Sequence, residues 1–420
     1  MNQMTNLVSA SNVGVMTTST ERQRRALVVG LGISGTSTAL ALLRAGWTPV
    51  LVEKAPQRRS GGYFVGLFGA GKTAAERLGI LDLLHDRTAY DGRNYDADRF
   101  GEWRAGIGFR DIPGEPWLMV RGDVEQAAFE ALPAGVEVRY STVPTKIEQD
   151  ADGVDVTLTN TADGSSATER FDLVVGADGL RSTVRKLAFG PDTRYLHRLN
   201  YMIAAFQLPG GLGRLALHDG LTLLEPDRSL WVFPFADHAP TVLFGYQTDD
   251  VDAEFTEPPA VRVRKAFGPN PTGDVLGAAL EALEATDDLL FDSVEQVHMN
   301  RWHEGRVVLV GDSAWCVTLY AGMGVSAGLA GADLLGTMLG RYDDVGRALS
   351  EWEGQLRPHM GYYQQLGIQQ TAIFTPNRKQ ITVRRLMTRG MTMPVASQVL
   401  KFVRTHNKSG RMKDLDIARV

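Results

Sequence analysis

The chain holds one cysteine in 420 residues, Cys316, so no intrachain disulfide can form and a reducing cytoplasm suits it. No apolar run approaches the roughly 20 residues that a membrane-spanning helix needs. The eight histidines never fall in an H-x-x-x-H spacing, and a lone cysteine rules out a cysteine-rich zinc site. No two of the seven tryptophans stand two residues apart. Charge of one sign is scarce too: the formal net charge is −5, which gives no electrostatic reason to expect nucleic acid or an anionic membrane as partner. Residues 1–24 are rich in Ser, Thr and Asn and lack the apolar centre of a signal peptide, so they read as a disordered leader. No internal repeat is seen.

What is present begins at Ala26–Val29, a short apolar strand, followed by Gly30-Leu31-Gly32-Ile33-Ser34-Gly35 and a helix over Thr36–Ala45 that Gly46 closes. Thr48–Val52 reads as a second strand with Glu53 at its end and Lys54 beyond it. This is a βαβ unit carrying G-x-G-x-x-G in its required context. Its first glycine permits a tight turn, its second lets backbone approach a pyrophosphate, and its third lets helix and strand pack closely. The unpaired N–H groups of the helix start suit phosphate. An acid about 20 residues past the turn can accept hydrogen bonds from ribose hydroxyls and would repel a 2′-phosphate, so the site suits FAD or NAD rather than NADP. The turn alone does not separate the first two.

Two further apolar runs stop at Gly and Asp: Asp172-Leu-Val-Val-Gly-Ala-Asp178-Gly179, followed by Leu180-Arg-Ser-Thr-Val-Arg185, and Arg306-Val-Val-Leu-Val-Gly311-Asp312. Continuous runs of this kind fit parallel strands buried on both faces, whose carboxyl ends hold the ligand. Between about 193 and 295 the grammar changes. Arg214–Glu225, Ser229–Phe235 and Thr241–Thr248 read as antiparallel strands, with a helix over Val275–Ala285. Residues 151–169, with Asp-Gly turns at 152–153 and 163–164, read as a surface hairpin. The fold class expected is α/β: a nucleotide-binding Rossmann-type domain (FAD-binding, by the resemblance given next) with a parallel sheet, interrupted by an antiparallel β-sheet substrate domain, with a helical C-terminus. The nucleotide domain is assigned 25–95, 120–192 and 296–345; the substrate domain 96–119 and 193–295; the C-terminal helices 346–420.

With these three motifs in order, the chain resembles the single-component FAD aromatic hydroxylases, the family of para-hydroxybenzoate hydroxylase and the tetracycline-inactivating monooxygenases, over roughly residues 25–345. The resemblance implies that Asp312 bonds the ribityl chain of FAD and that Asp178 and Gly179 serve the pyrophosphate region. It also implies that Arg121, in Arg121-Gly-Asp-Val124, reaches the FAD, with Val124 in place of the usual leucine. Gly322-Met323-Gly324 opens a helix over Val325–Gly340 with a small-residue side, Gly324, Ala327, Gly328 and Gly331, and its amides would face the flavin. Where the family has histidine, prolines and asparagine, this chain has Trp315, Thr318, Leu319 and Ser326. Trp315 is open to two readings, a flavin- or substrate-side wall or core packing.

The function implied is that of a monooxygenase. NADPH or NADH reduces FAD, O2 adds at flavin C4a as a hydroperoxide, and oxygen passes to an electron-rich carbon or the peroxide attacks a carbonyl of a small aromatic molecule. The chemistry belongs to the cofactor, and no side-chain catalytic dyad is evident. Trp231, Phe233 and Phe235 alternate along one strand, as do Phe244 and Tyr246, so either set could receive a flat substrate. Tyr320, next to the flavin loop, is a further substrate candidate. The alternatives are an FAD reductase, oxidase or halogenase, a ligand-sequestering FAD protein without turnover, and a nicotinamide dehydrogenase. The W-x-W-x-I-P signature of tryptophan-type halogenases is absent. The basic, apolar-interleaved stretch 383–420 reads as a solvated helix, a cleft-closing helix or an oligomer contact.

Overall fold

The computed structural model describes residues 23–58, 61–111, 116–391 and 412–419. The leader expected over 1–24, except its last two residues, lies outside them, as does most of 392–420.

A six-stranded sheet forms the first layer, in the order His303–Glu304, Val307–Leu309, Leu173–Gly176, Arg25–Val29, Thr48–Val52 and Glu137–Arg139. All its pairings are parallel except that of the two-residue edge strand His303–Glu304. The interior strands are Val- and Leu-rich and fully buried, because helices or other strands cover both faces. Register then does the functional work. Val29 pairs with both Gly176 and Val52, and Gly176 with Leu309. The three motif ends therefore emerge side by side along one edge, with Glu53 among them.

The helix Ile33–Arg44 lies against the long helix Gly324–Arg341. The contact is close because the latter presents glycines: a Cβ on Gly336 would stand 2.5 Å from the Ala41 carbonyl oxygen. Asp333, wholly buried on the same helix, is held by Arg44 and by Arg77 of the helix Gly69–Arg77.

The second layer is a seven-stranded sheet in the order Leu289–Val297, Leu196–Gln207, Thr241–Gln247, Arg228–Phe233, Gly220–Glu225, Asn94–Ala97 and Trp103–Ala105. It is antiparallel apart from the Gly220–Glu225 and Asn94–Ala97 pair. One face packs on the helices Pro259–Phe267 and Gly273–Ala285, and the other looks toward the nucleotide layer.

Two strand expectations are corrected at their ends. Only Gly220–Glu225 of the run from Arg214 is strand, because two turns, closed by the Leu215 N–H to the Leu212 carbonyl and the Asp219 N–H to the Ala216 carbonyl, take up the residues before it. The strand through Trp231 ends at Phe233, where Pro234 removes a ladder donor. The expected hairpin at 151–169 joins a three-stranded sheet of Thr142–Gln149, Val154–Asn160 and Ser166–Phe171.

Candidate functional site

The glycine turn is built for backbone contact. Gly30 has φ +104°, and a Cβ there would stand 2.5 Å from the Ala177 carbonyl oxygen; a Cβ on Gly35 would stand 1.9 Å from the carbonyl oxygen of Gly30. Gly32 begins the Ile33–Arg44 helix without a side-chain cap, so its first amides stay available. Glu53 accepts from the Leu31 N–H and the Ala55 N–H, each at 2.9 Å, which fixes the carboxylate beside the turn and leaves lone pairs for a ligand. A cavity of about 230 Å³ opens here, lined by Gly32, Glu53, Lys54, Arg58, Arg121 and Asp178 among others. Ser34 stands at its inner end, wedged between Gly311 and Gly328, its hydroxyl 2.3 and 2.6 Å from where their Cβ atoms would be.

Asp178 also acts as a cap. Its carboxylate accepts from the Ser182 hydroxyl at 2.5 Å and from the Thr183 and Val184 N–H groups at 2.6 and 3.1 Å. Burial raises its pKa, and these donors oppose the rise. Gly179 follows it at φ +80°. Ser182 and Arg185 carry roles the sequence reading did not assign. Arg185, fully buried, donates to the carbonyls of Ser313 and Leu180 at 2.8 and 2.6 Å and to Asp192 at 2.6 Å, tying the Asp178 loop to the Asp312 loop.

Asp312 is exposed to solvent yet lies deep among protein atoms. Burial raises its pKa, while the Arg121 guanidinium and a hydrogen bond from Cys316 pull it down. Arg121 also pairs with Glu125 at 2.7 Å and acts on the Tyr63 phenol, whose pKa burial raises. The Cys316 thiol is pushed well above its ordinary value by burial and then by Asp312, so it stays protonated.

The loop that follows is strained. Thr318 sits at φ 72°, ψ 158°, a region essentially reserved for glycine, and its buried hydroxyl has no partner among the described residues. Gly322 is left-handed at φ 66°. Met323 caps the Gly324–Arg341 helix and is fully buried, whereas Gly324 is exposed, with no atom within 4 Å of its Cβ direction. Ser326, in place of the family's asparagine, accepts from the Phe68 N–H at 3.0 Å and locks the start of the Gly69–Arg77 helix against this one.

Trp315 resolves to core packing. Its ring lies 4.8 Å from Trp302 and 5.9 Å from Trp352, and a Cβ on Gly331 would stand 2.9 Å from it. It is buried among these rings.

The inner face of the second sheet carries a run of aromatic rings. Phe64 stacks on Phe233 at 3.6 Å, Phe233 on Trp231 at 6.0 Å, Trp231 lies 5.0 Å from Phe374, Phe374 stacks on Tyr320 at 5.1 Å, and Tyr320 meets Tyr201 edge-on at 6.1 Å. Tyr320 is buried, its hydroxyl 3.2 Å from that of Thr375. The sequence supplied Trp231, Phe233 and Tyr320 but missed Phe64, Tyr201 and Phe374, which come from three other segments. Phe235 does not share this face: beyond the strand end it packs with Leu118 and Val120. Phe244 and Tyr246 point to the opposite, helix-covered face, where Tyr246 donates to Glu254 at 2.7 Å.

Three glycine–acid strand ends gathered on one edge, beside an internal carboxylate and an uncapped helix start, define a dinucleotide-binding flavoprotein fold. These residues fit FAD, since Asp312 is kept open inside the protein and Gly324 opens onto free space. Residues 23–342 match the FAD binding domain family. A flavin-dependent monooxygenase from an unknown prokaryotic organism is 30% identical over 359 residues, covering 81% of this chain and 87% of its own. Monooxygenase CTB7 of Cercospora beticola is 28% identical over 364 residues, covering 82% and 85%. Among solved structures, the tetracycline destructase Tet(55) superposes with a TM-score of 0.74 at 24% identity, covering 91% of this chain and 97% of its own. Klebsiella pneumoniae HpxO complexed with FAD and uric acid gives 0.68 at 20%, covering 94% and 97%. The chain belongs to the FAD binding domain family, and the relatives it matches over most of their length include proteins named as flavin-dependent monooxygenases. No described helix is long and apolar enough to cross a membrane.

Proposed function

We propose that this protein is an FAD monooxygenase that uses NADPH or NADH and O2 to oxygenate a small, planar aromatic molecule of the secondary-metabolite type. The observation that carries the aromatic reading is the ladder of six rings on the inner face of the second sheet, beside the Gly322–Gly324 loop. A flat ligand inserted there replaces ring–ring contacts with equivalent ones of its own. FAD, when bound, supplies electron transfer from the nicotinamide and the activation of oxygen. The chain's own groups do the rest. The Gly30–Gly35 turn, Glu53, Arg121, Asp178 with Gly179, and Asp312 bind the dinucleotide; Lys54 stands exposed at the rim of the same cavity. Amides at the start of the Gly324–Arg341 helix favour negative charge on the ring. Phe64, Trp231, Phe233 and Tyr320 position the substrate and exclude water.

The test is to reconstitute the full chain with FAD, reduce it anaerobically with NADPH or NADH in the presence of a panel of planar phenols, and admit labelled dioxygen. One labelled oxygen atom in the product supports the reading. A yellow protein that consumes no nicotinamide with any ligand, or that reduces oxygen only to free peroxide, overturns it.

A further inference from the structure

Residues 412–419 are anchored at several points on the nucleotide domain. The Tyr363 hydroxyl donates to the Met412 carbonyl at 2.9 Å, and the Gly69 N–H donates to Asp414 at 3.1 Å, capping the helix Gly69–Arg77. Arg77 donates to both oxygens of Asp416 at 2.8 and 2.9 Å, and Gln355 donates to the Ile417 carbonyl at 2.8 Å. Ile417 and Ala418 are buried in the main core.

Between these anchors Lys413 points inward, only 3% exposed. Its ammonium stands 4.2 Å from the ring centre of Phe68 and 4.0 Å from where a Cβ on Gly322 would be. Phe68 is itself the cap residue of the Gly69–Arg77 helix, and its N–H is bonded to Ser326 in the first turn of the Gly324–Arg341 helix. A buried cation and two helix N-termini, each a positive end, thus converge behind one loop. Asp414 is the acid that opposes them, and burial still outweighs it, bringing the Lys413 pKa down to about 8. The aromatic face of Phe68 compensates part of the desolvation. A site this positive is costly to assemble unless negative charge arrives beside it, and Gly324, two residues past Gly322, has free space at its Cβ position.

We propose that Lys413, delivered by the C-terminal segment, is an electrostatic positioning residue of the flavin loop that stabilises the reduced, anionic form of bound FAD. This rests on the FAD reading above. The segment at 412–419 therefore does more than close the fold: its docking sets how readily the cofactor accepts electrons.

The experiment measures the reduction potential of the FAD-loaded full chain by anaerobic dye equilibration, for the native protein and for Lys413→Met, Lys413→Gln and Lys413→Arg, with FAD content and melting temperature recorded alongside. Removing the charge is expected to lower the reduced-to-oxidised ratio at fixed poise about tenfold, a shift of ~30 mV for a two-electron couple. Lys413→Arg keeps most of the native value. A neutral variant that folds, holds FAD and shows the native potential overturns the proposal; so does failure of both neutral variants to fold, which would make the residue structural. A native chain that takes up no FAD sinks the FAD reading instead.

Discussion

The two ligand-facing regions are built on opposite plans. The edge of the parallel sheet offers a ligand mostly backbone and a few carboxylates, and its parts lie within short stretches: Gly30–Gly35 with Glu53, Asp178 with Gly179, Gly311 with Asp312. The inner face of the second sheet offers side chains instead, and its six rings come from five separate segments. Backbone recognition forces glycine at fixed spacings, because a Cβ would strike the neighbouring carbonyl, as at Gly30 and Gly35. Side-chain recognition imposes no such spacing, since any aromatic that tertiary structure delivers will serve. The first region is therefore written in local motifs and the second is not.

Replacing one carboxylate separates the two regions with the largest effect. Asp312→Ala is expected to weaken FAD binding by about 1.5–3 kcal/mol, the size of a lost hydrogen bond to a charged acceptor. The same change should leave the ligand-free protein no less stable. Burial raises the Asp312 pKa in the folded state, so its ionised form costs stability at neutral pH and the cost disappears as pH falls through the folded pKa. Alanine removes that cost at every pH. Equilibrium dialysis against FAD and urea unfolding of the apoprotein check both halves. Undiminished FAD affinity would remove Asp312 from the site.

How much of this was legible follows the same division. The three strand ends and their order could be read from sequence because each run is apolar, short and stopped by a glycine, with Asp178 and Asp312 close behind two of them. The second sheet was legible as a sheet, through the alternation in Leu230–Phe233 and Thr241–Tyr246. Which face looked inward was not: Phe244 and Trp231 both sit in aromatic-rich strands, but the register pairs Trp231 with Leu243 and Leu230 with Phe244, sending the two rings to opposite faces. Phe235 followed the period of two on paper, yet Pro234 ended the strand before it. Phe374 lies 54 residues from Tyr320 and Lys413 lies 91 from Gly322, and no local pattern marks them.

Phe374→Ala sharpens the contrast from the other side. The ring stacks on Tyr320 and leans on Trp231, so its loss should raise the KM for an aromatic substrate about tenfold, or ~1.5 kcal/mol, while FAD content stays native. Steady-state kinetics beside a flavin absorbance reading measures the split. Loss of FAD with unchanged KM would mean that the ladder supports the nucleotide edge rather than a ligand of its own.

The smallest expected effect falls on the residue that joins the regions. Thr318 leads from the buried Cys316 and Val317 into the loop holding Tyr320 and Gly322, and does so in a backbone conformation costing about 1–3 kcal/mol for a non-glycine residue. Its unpartnered hydroxyl adds nothing in return. Glycine would relieve the strain but gives the unfolded chain more freedom, worth roughly 0.5–1 kcal/mol. Thr318→Gly is thus expected to stabilise the protein by about 1 kcal/mol in urea unfolding. A loss of stability would show that packing of the threonine methyl outweighs the strain. A gain in stability with a fall in turnover would place the strain in the service of the loop, holding Tyr320 on the aromatic face and Gly324 on the nucleotide edge in one fixed relation.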